Sequence, residues 1–179
     1  MTQDLYQRTI KFAALKHSET NQIIPGTNIP YVVHLSNVAM ELMIANSKIN
    51  NFNLDYALQL ALLHDVLEDT TTNYQEIVQE FGIEVAMGVK ALTKNNSLPK
   101  EERMIDSILR IKKLSKEVGI VKLADRITNL QSPPDFWNKS KRTNYRDEAI
   151  FILKELNAIN QYLENRLSLK IQEYEQYII

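Results

Sequence analysis

The residues able to do chemistry cluster in three short words. The densest is Leu62-Leu63-His64-Asp65-Val66-Leu67-Glu68-Asp69-Thr70, where four ionisable side chains follow an apolar run. Burying that many charges is costly unless they are paired or metal-bound. On one continuous helix residues four apart share a face, so His64 lies beneath Glu68 and Asp65 beneath Asp69. One turn then offers an imidazole and a carboxylate to a metal ion, and the next offers two carboxylates as its surroundings. A second word, Val121-Lys122-Leu123-Ala124-Asp125-Arg126-Ile127-Thr128-Asn129-Leu130, sets Asp125 and Asn129 along one edge of an apolar face. A third, Pro30-Tyr31-Val32-Val33-His34, puts a histidine at a helix start. Together His34, His64, Asp65 and Asp125 form a two-nitrogen, two-oxygen set. Divalent Mn, Fe, Co, Ni or Zn tolerate such a set, with open positions for water and substrate. An ion held there polarises a phosphoryl oxygen and lowers the pKa of its water. Glu68 or Asp69 is placed to take a proton from that water or to orient it. The remaining histidine, His17, is expected to hydrogen-bond near this pocket or to face solvent rather than to ligate.

The elements that must position these residues read as helices almost throughout. The pattern predicts a first helix from Thr2 or Gln3, a break over 21–30 with Pro25-Gly26 as its turn, and a second helix from about Tyr31 to Ala45. Asn53 is a suitable N-cap for a third helix, Leu54 to Leu67, apolar nearly all round and so central. A polar run, Thr70-Thr71-Thr72-Asn73, caps a short helix that Gly82 ends, and Ile83 to Leu92 follows. Pro99 opens a helix from about Lys100 to Leu114. The next runs from Lys116 to Leu130, and Gln131-Ser132-Pro133-Pro134-Asp135 breaks the chain again. The last two helices are expected at about Tyr145–Leu163 and Leu169–Tyr177. No period-2 strand run stands out. The expectation is all-α: a single helical bundle of about eight to nine helices spanning residues 1–179.

Composition narrows the chemistry. The chain has 179 residues, 44% apolar and 24% charged, which fits one ordinary globular domain. It has no cysteine, so thiolate catalysis, zinc ribbons and iron–sulfur clusters are out. Its four glycines form neither GxGxxG nor GxxxxGK[ST], so phosphate must be held by a metal and side chains rather than a glycine loop. A net charge of −1 argues against a nucleic-acid surface. The apolar stretches are too short for a membrane span, and the N-terminus shows no secretory pattern, so a cytoplasmic place is expected. Arginine forks suit phosphate, which makes Arg126 and Arg142, with Lys122 beside Asp125, candidate substrate contacts. Phe136 and Trp137 could stack on a base or pack as a lid. The apolar run Tyr174–Ile179 docks on the core or on a second copy in a homodimer.

The order His34, His64-Asp65, Asp125 resembles the H…HD…D pattern of the HD-domain metal-dependent phosphohydrolases. The surrounding words, PYVVH, ALLHDVLEDT, FG, LTK and VKLADRITNL, resemble the hydrolase domain of RelA/SpoT-type alarmone enzymes, over about Phe12 to Leu156. The length is similar to that of small stand-alone alarmone hydrolases, including the metazoan SpoT type. The resemblance implies an all-helical fold that removes the 3′-pyrophosphate of guanosine polyphosphates, (p)ppGpp, with one Mn²⁺. It implies His34, His64, Asp65 and Asp125 as ligands, Glu68 and Asp69 activating water, Asn129 near the ribose, and Tyr145 lining the pocket. Binuclear relatives use further histidines, and only His17 would remain here, so a single ion is expected. One stretch departs from the pattern. The alarmone hydrolases carry an Arg-Lys pair before the PYxxH word, whereas this chain has no Arg or Lys between Lys16 and Lys48, and Leu35 stands where proline usually follows the histidine. Base recognition therefore stays open between an alarmone and the substrate of a nucleotidase or NADP(H) phosphatase with the same metal site. A non-catalytic nucleotide-binding module is the third reading, one that has no use for Glu68 and Asp69.

Overall fold

A computed structural model of the chain describes residues 1–178. Its helices, numbered in chain order, are α1 Thr2–Glu19, α2 Val32–Lys48, α3 Leu54–Leu63, α4 Val66–Asp69, α5 Tyr74–Phe81, α6 Ile83–Leu92, α7 Lys100–Ile111, α8 Lys116–Asn129, α9 Lys139–Glu155 and α10 Gln161–Tyr174, followed by a 3₁₀ turn, Glu175–Tyr177. Nine are of ordinary length and α4 is a single turn. The only β contact among the described residues is an isolated bridge between Ile23 and Pro30.

Two helices with no solvent face organise the rest. In α3, Ala57, Leu58, Leu60, Ala61, Leu62 and Leu63 are all buried, as the all-round apolar pattern requires. In α8 every residue from Glu117 to Thr128 is buried, charged ones included. Helices α2, α3 and α8 pack on one another, and α1, α6, α7, α9 and α10 surround them. This trio carries His34, His64 and Asp125 to one point.

The helix caps explain where the expected boundaries hold and where they move. Asn53 accepts from the Tyr56 amide at 3.2 Å and starts α3 as anticipated. Gly82, at φ 90°, ends α5 in a conformation that side chains resist. The expected helix Leu54–Leu67, however, stops at Leu63. His64 turns its Nδ1–H back onto the Ala61 carbonyl at 2.8 Å, Asp65 adopts φ −101° and ψ −2°, and α4 starts afresh. Glu68 is therefore not stacked above His64 on one cylinder, since its N–H turns to the Asp65 carbonyl at 3.1 Å, whereas Asp69 still sits one turn above Asp65, its N–H on the same carbonyl at 2.9 Å. The last two helices also shift. Asn138 caps α9 through the Lys141 amide at 2.8 Å, so that helix starts at Lys139 rather than Tyr145. Asn160 caps α10 through the Leu163 amide at 3.1 Å, so that helix starts at Gln161 rather than Leu169. Asn160 is 1% exposed, and its Nδ2 also donates to Asn51 Oδ1 at 3.1 Å. An Asn160→Ala change is expected to destabilise the fold by about 1–2 kcal/mol, read by denaturant unfolding, because it removes both a cap and a buried amide pair.

The segment 20–31 between α1 and α2 is pinned at its root and its tip. Tyr31 N–H donates to the Gln22 carbonyl at 3.2 Å, and Ile24 N–H to Ile29 at 2.9 Å. At the tip, Gly26 has φ 79°, and a Cβ there would come within 2.9 Å of Pro134. Glycine lets this loop lie directly on the break after α8. At the C-terminus, Tyr174 is buried and Tyr177 and Ile178 pack against the core, so the apolar end docks on its own chain; Ile179 lies outside the described residues. No helix among the described residues is long and apolar enough to cross a membrane.

Candidate metal centre

Four donor atoms converge where α2, α3 and α8 meet. His34 Nε2 lies 3.4 Å from His64 Nε2 and 3.4 Å from Asp125 Oδ1; His64 Nε2 lies 3.5 Å from the same oxygen. Asp65 Oδ2 joins at 2.9 Å from His64 Nε2 and 4.0 Å from His34 Nε2. Among the described residues, His34, His64 and Asp125 form a group whose donor atoms all lie within 4.8 Å of one another. Ligands on metal bonds of about 2.0–2.2 Å sit at separations of this kind. All three residues are buried.

The donor chemistry fits a divalent cation. The His64 Nδ1–H is committed to the Ala61 carbonyl, which leaves Nε2 as a bare lone pair facing the cluster. Two imidazole nitrogens and two carboxylates pointing at one another are stable only with positive charge between them. Without the ion, a proton takes that place. Burial works against charge on His64, but the carboxylates of Asp65 and Asp125 outweigh it and raise its pKa well above the ordinary histidine value. Burial likewise works against charge on Asp125, yet Lys122 and the two imidazoles hold its carboxyl well below the usual range. Asp65 is held low in the same way, chiefly by His64. A sign follows. Binding the ion expels the His64 proton, so metal affinity is expected to rise with pH up to that raised pKa and to fall away below it. Calorimetric titration in buffers of different ionisation enthalpy measures the protons released.

Each ligand has a partner that orients it. Asp125 Oδ2 takes the Lys122 ammonium at 3.2 Å, and Asp125 Oδ1 accepts from Asn129 Nδ2. Lys122 and Asn129 lie three residues before and four after Asp125, so α8 puts all three on one face. Asp65 Oδ2 also accepts from the Tyr31 hydroxyl, and the Tyr31 ring lies 5.1 Å from the His34 ring. Tyr31 is three residues before His34, and that shared-face spacing is the signal that could have found it.

The carboxylates of α4 are held from two different sides. Both oxygens of Glu68 are occupied by Lys94, the backbone N–H at 3.0 Å and the ammonium at 3.2 Å. Asp69 Oδ2 accepts from Gln22 Nε2 at 2.7 Å, while Oδ1 has no hydrogen-bond partner among the described residues. Burial and the neighbouring Asp65 charge raise the Asp69 pKa above the ordinary carboxyl value, while the Gln22 hydrogen bond pulls it back down. Nothing in the spacing of the sequence marks Gln22 or Lys94 as partners of these groups.

The expected phosphate contacts, Arg126 on α8 and Arg142 on α9, make other bonds. Arg126 is 4% exposed, pairs with Glu148, and lies 4.6 Å over the Tyr145 ring. Its Nε and Nη1 have no partner. Arg142 donates to the backbone carbonyls of Tyr177 at 3.1 Å and Asp135 at 3.5 Å. Trp137 packs edge-on against Tyr145 at 5.0 Å with the Lys141 ammonium above it, whereas Phe136 is exposed. The fold thus gathers Lys122 and Asn129 onto the ligand cluster and places Arg126, Tyr145 and Arg142 in a neighbouring aromatic layer.

Comparison with known proteins decides the family. The sequence profile of the HD domain matches residues 10–160. The chain belongs to the HD-domain family. This HD-domain protein is 34% identical over 164 residues to the guanosine-3′,5′-bis(diphosphate) 3′-pyrophosphohydrolase MESH1 of Danio rerio, covering 89% of this chain and 88% of the relative. It is 34% identical over 161 residues to MESH1 of Homo sapiens, covering 87% of each. A solved structure described as a metazoan ortholog of SpoT that hydrolyses ppGpp superposes with a TM-score of 0.80 at 28% identity, over 98% of this chain and 97% of that one. The HD-domain protein and that structure therefore share the helical arrangement from end to end.

Proposed function

We propose that this HD-domain protein is a divalent-metal-dependent phosphohydrolase that removes the 3′-pyrophosphate of a guanosine polyphosphate, with one Mn²⁺ held by His34, His64, Asp65 and Asp125. The observation that carries the reading is the convergence of the His34 and His64 Nε2 atoms and the Asp125 carboxylate at 3.4–3.5 Å, in a chain similar over most of its length to ppGpp 3′-pyrophosphohydrolases. A bound ion supplies charge for a phosphoryl oxygen and lowers the pKa of a water molecule.

The protein's own groups supply the rest. Asp69 Oδ1, the carboxylate oxygen without a partner, receives the proton of the attacking water. Glu68, neutralised by Lys94, orients that water and screens the substrate's charge from Asp69. Water adds to the 3′-linked phosphorus and the bond from phosphorus to O3′ breaks. Pyrophosphate leaves, and the proton from the water ends on the released nucleotide. Lys122 and Asn129 hold Asp125 in place and are within reach of the leaving oxyanion; Arg126, Tyr145 and Arg142 form the wall on which the nucleotide rests. Soluble nucleotide is the substrate, and the cytoplasm is the place of action.

The loop over 20–31 favours one competing specificity. It carries no cation between Lys16 and Lys48, and it exposes Ile23 and Ile29 instead. A nucleotidase or NADP(H) phosphatase would use the same metal site beneath such a neutral rim. Assays of pyrophosphate and phosphate release with Mn²⁺ separate the two readings. Pyrophosphate from ppGpp at the highest kcat/KM supports the alarmone reading. Orthophosphate from NADPH or a 5′-nucleotide, with ppGpp inert, replaces it.

A further inference from the structure

One buried histidine is not explained by metal ligation. His17, near the end of α1, is 2% exposed, and its ring lies 4.9 Å from that of Tyr31. Its Nδ1 is hydrogen-bonded to Gln22 Oε1, while its Nε2 is buried without any partner. The other end of the Gln22 amide donates to Asp69 Oδ2 at 2.7 Å. The contacts close into a ring. From Asp69 the path runs through Gln22 and His17 to Tyr31, on to Asp65 by the Tyr31 hydroxyl, and back by the Asp69 N–H to the Asp65 carbonyl at 2.9 Å.

The direction of these bonds is forced. An ionised carboxylate can only accept, so it must face the Gln22 NH₂. Gln22 Oε1 then faces His17, which must present Nδ1–H. Burial lowers the His17 pKa, so the ring is neutral and owns a single N–H. Nε2 is therefore the bare nitrogen, and it is the one left orphaned. The opposite tautomer would leave a buried donor unsatisfied and would flip the amide so that two oxygens faced each other at Asp69. A free-standing glutamine on this loop has many rotamers; one clamped between a histidine N–H and a carboxylate has one.

We propose that Gln22 and His17 are a positioning pair for Asp69: the Gln22 amide fixes Oδ2 so that Oδ1 faces the water, and the His17 Nδ1–H locks the amide in that sense. The pair touches neither substrate nor metal. The inference rests on Asp69 being the proton acceptor.

Two measurements test it. In metal-free protein labelled with ¹⁵N, three histidines give a resolvable imidazole spectrum, and His17 is assigned by its loss in His17→Leu. The expected spectrum has a protonated Nδ1 and a bare Nε2; a bare Nδ1 overturns the pairing whatever the activity. In the Mn²⁺-loaded enzyme, Gln22→Met and His17→Leu are expected to lower kcat on the order of 10- to 100-fold, with KM and metal content little changed. His17→Asn, whose amide donor occupies the place of Nδ1, is expected to recover most of that loss, and Gln22→Met is expected to cost nothing further in an Asp69→Asn background. Full kcat in both Gln22→Met and His17→Leu, while Asp69→Asn is inactive, overturns the positioning pair alone. Full kcat in Asp69→Asn overturns the reading of Asp69 and the pair with it.

Discussion

Replacing Asp69 with asparagine is expected to lower kcat by about 10²–10⁴-fold while leaving metal content and the folded state intact. The expectation follows from the contrast between the two α4 carboxylates. Glu68 has both oxygens engaged by Lys94, whereas Asp69 has one oxygen held by a neutral amide and one free. Partial burial and the Asp65 charge raise the Asp69 pKa above the ordinary carboxyl value, which strengthens it as a proton acceptor. Asparagine keeps the shape and can accept from Gln22 through its oxygen, but it cannot take a proton. Glu68→Gln is expected to cost less, because Lys94 remains to face the site. Steady-state kinetics with metal content measured on the same preparations compare the two variants, and a larger loss in Glu68→Gln would reverse the assignment.

Replacing His64 with alanine is expected to abolish stoichiometric metal binding and to reduce turnover by on the order of 1000-fold or more. The ion is asked for several kcal/mol of transition-state charge stabilisation, and each ~1.4 kcal/mol is tenfold in rate. His64 is the ligand whose loss should be felt most. It contacts Asp65 at 2.9 Å and stands within 3.5 Å of both His34 and Asp125, and its Nδ1–H also ends α3 on Ala61. Removing it leaves the half-buried Asp65 and the buried Asp125 carboxylates with less positive charge between them. The metal-free variant is therefore also expected to unfold at lower denaturant than the metal-free parent. Elemental analysis and unfolding curves read both effects.

Much of the site was legible in the sequence because ionisable residues in apolar helices stand out. His34, His64, Asp65 and Asp125 each interrupt a run that would otherwise be core, and the all-round apolar pattern of α3 marked that helix as central. The order of helices was legible for the same reason. What escaped is geometry that depends on single hydrogen bonds. Periodicity carried α3 through to Leu67, since nothing in it reveals that His64 folds its ring back on Ala61 and restarts the helix at Asp65. Asn138 and Asn160 moved α9 and α10 because a capping asparagine looks like any polar residue until its oxygen meets an amide. Gln22 and Lys94 reach Asp69 and Glu68 from loops that are distant in sequence, and no periodicity links them. Arg126 pairs with Glu148 and lies over the Tyr145 ring, partners on α9 that no spacing in the sequence links to it.

The reading that this HD-domain protein cleaves a 3′-pyrophosphate through its metal centre is tested most directly by following ppGpp hydrolysis in H₂¹⁸O with Mn²⁺ supplied or withheld. The account predicts turnover only with the metal, GDP and pyrophosphate as products in equal amounts, and ¹⁸O in the pyrophosphate alone. Orthophosphate as the first product, ¹⁸O in the nucleotide, or equal turnover by the His64→Ala variant would contradict it.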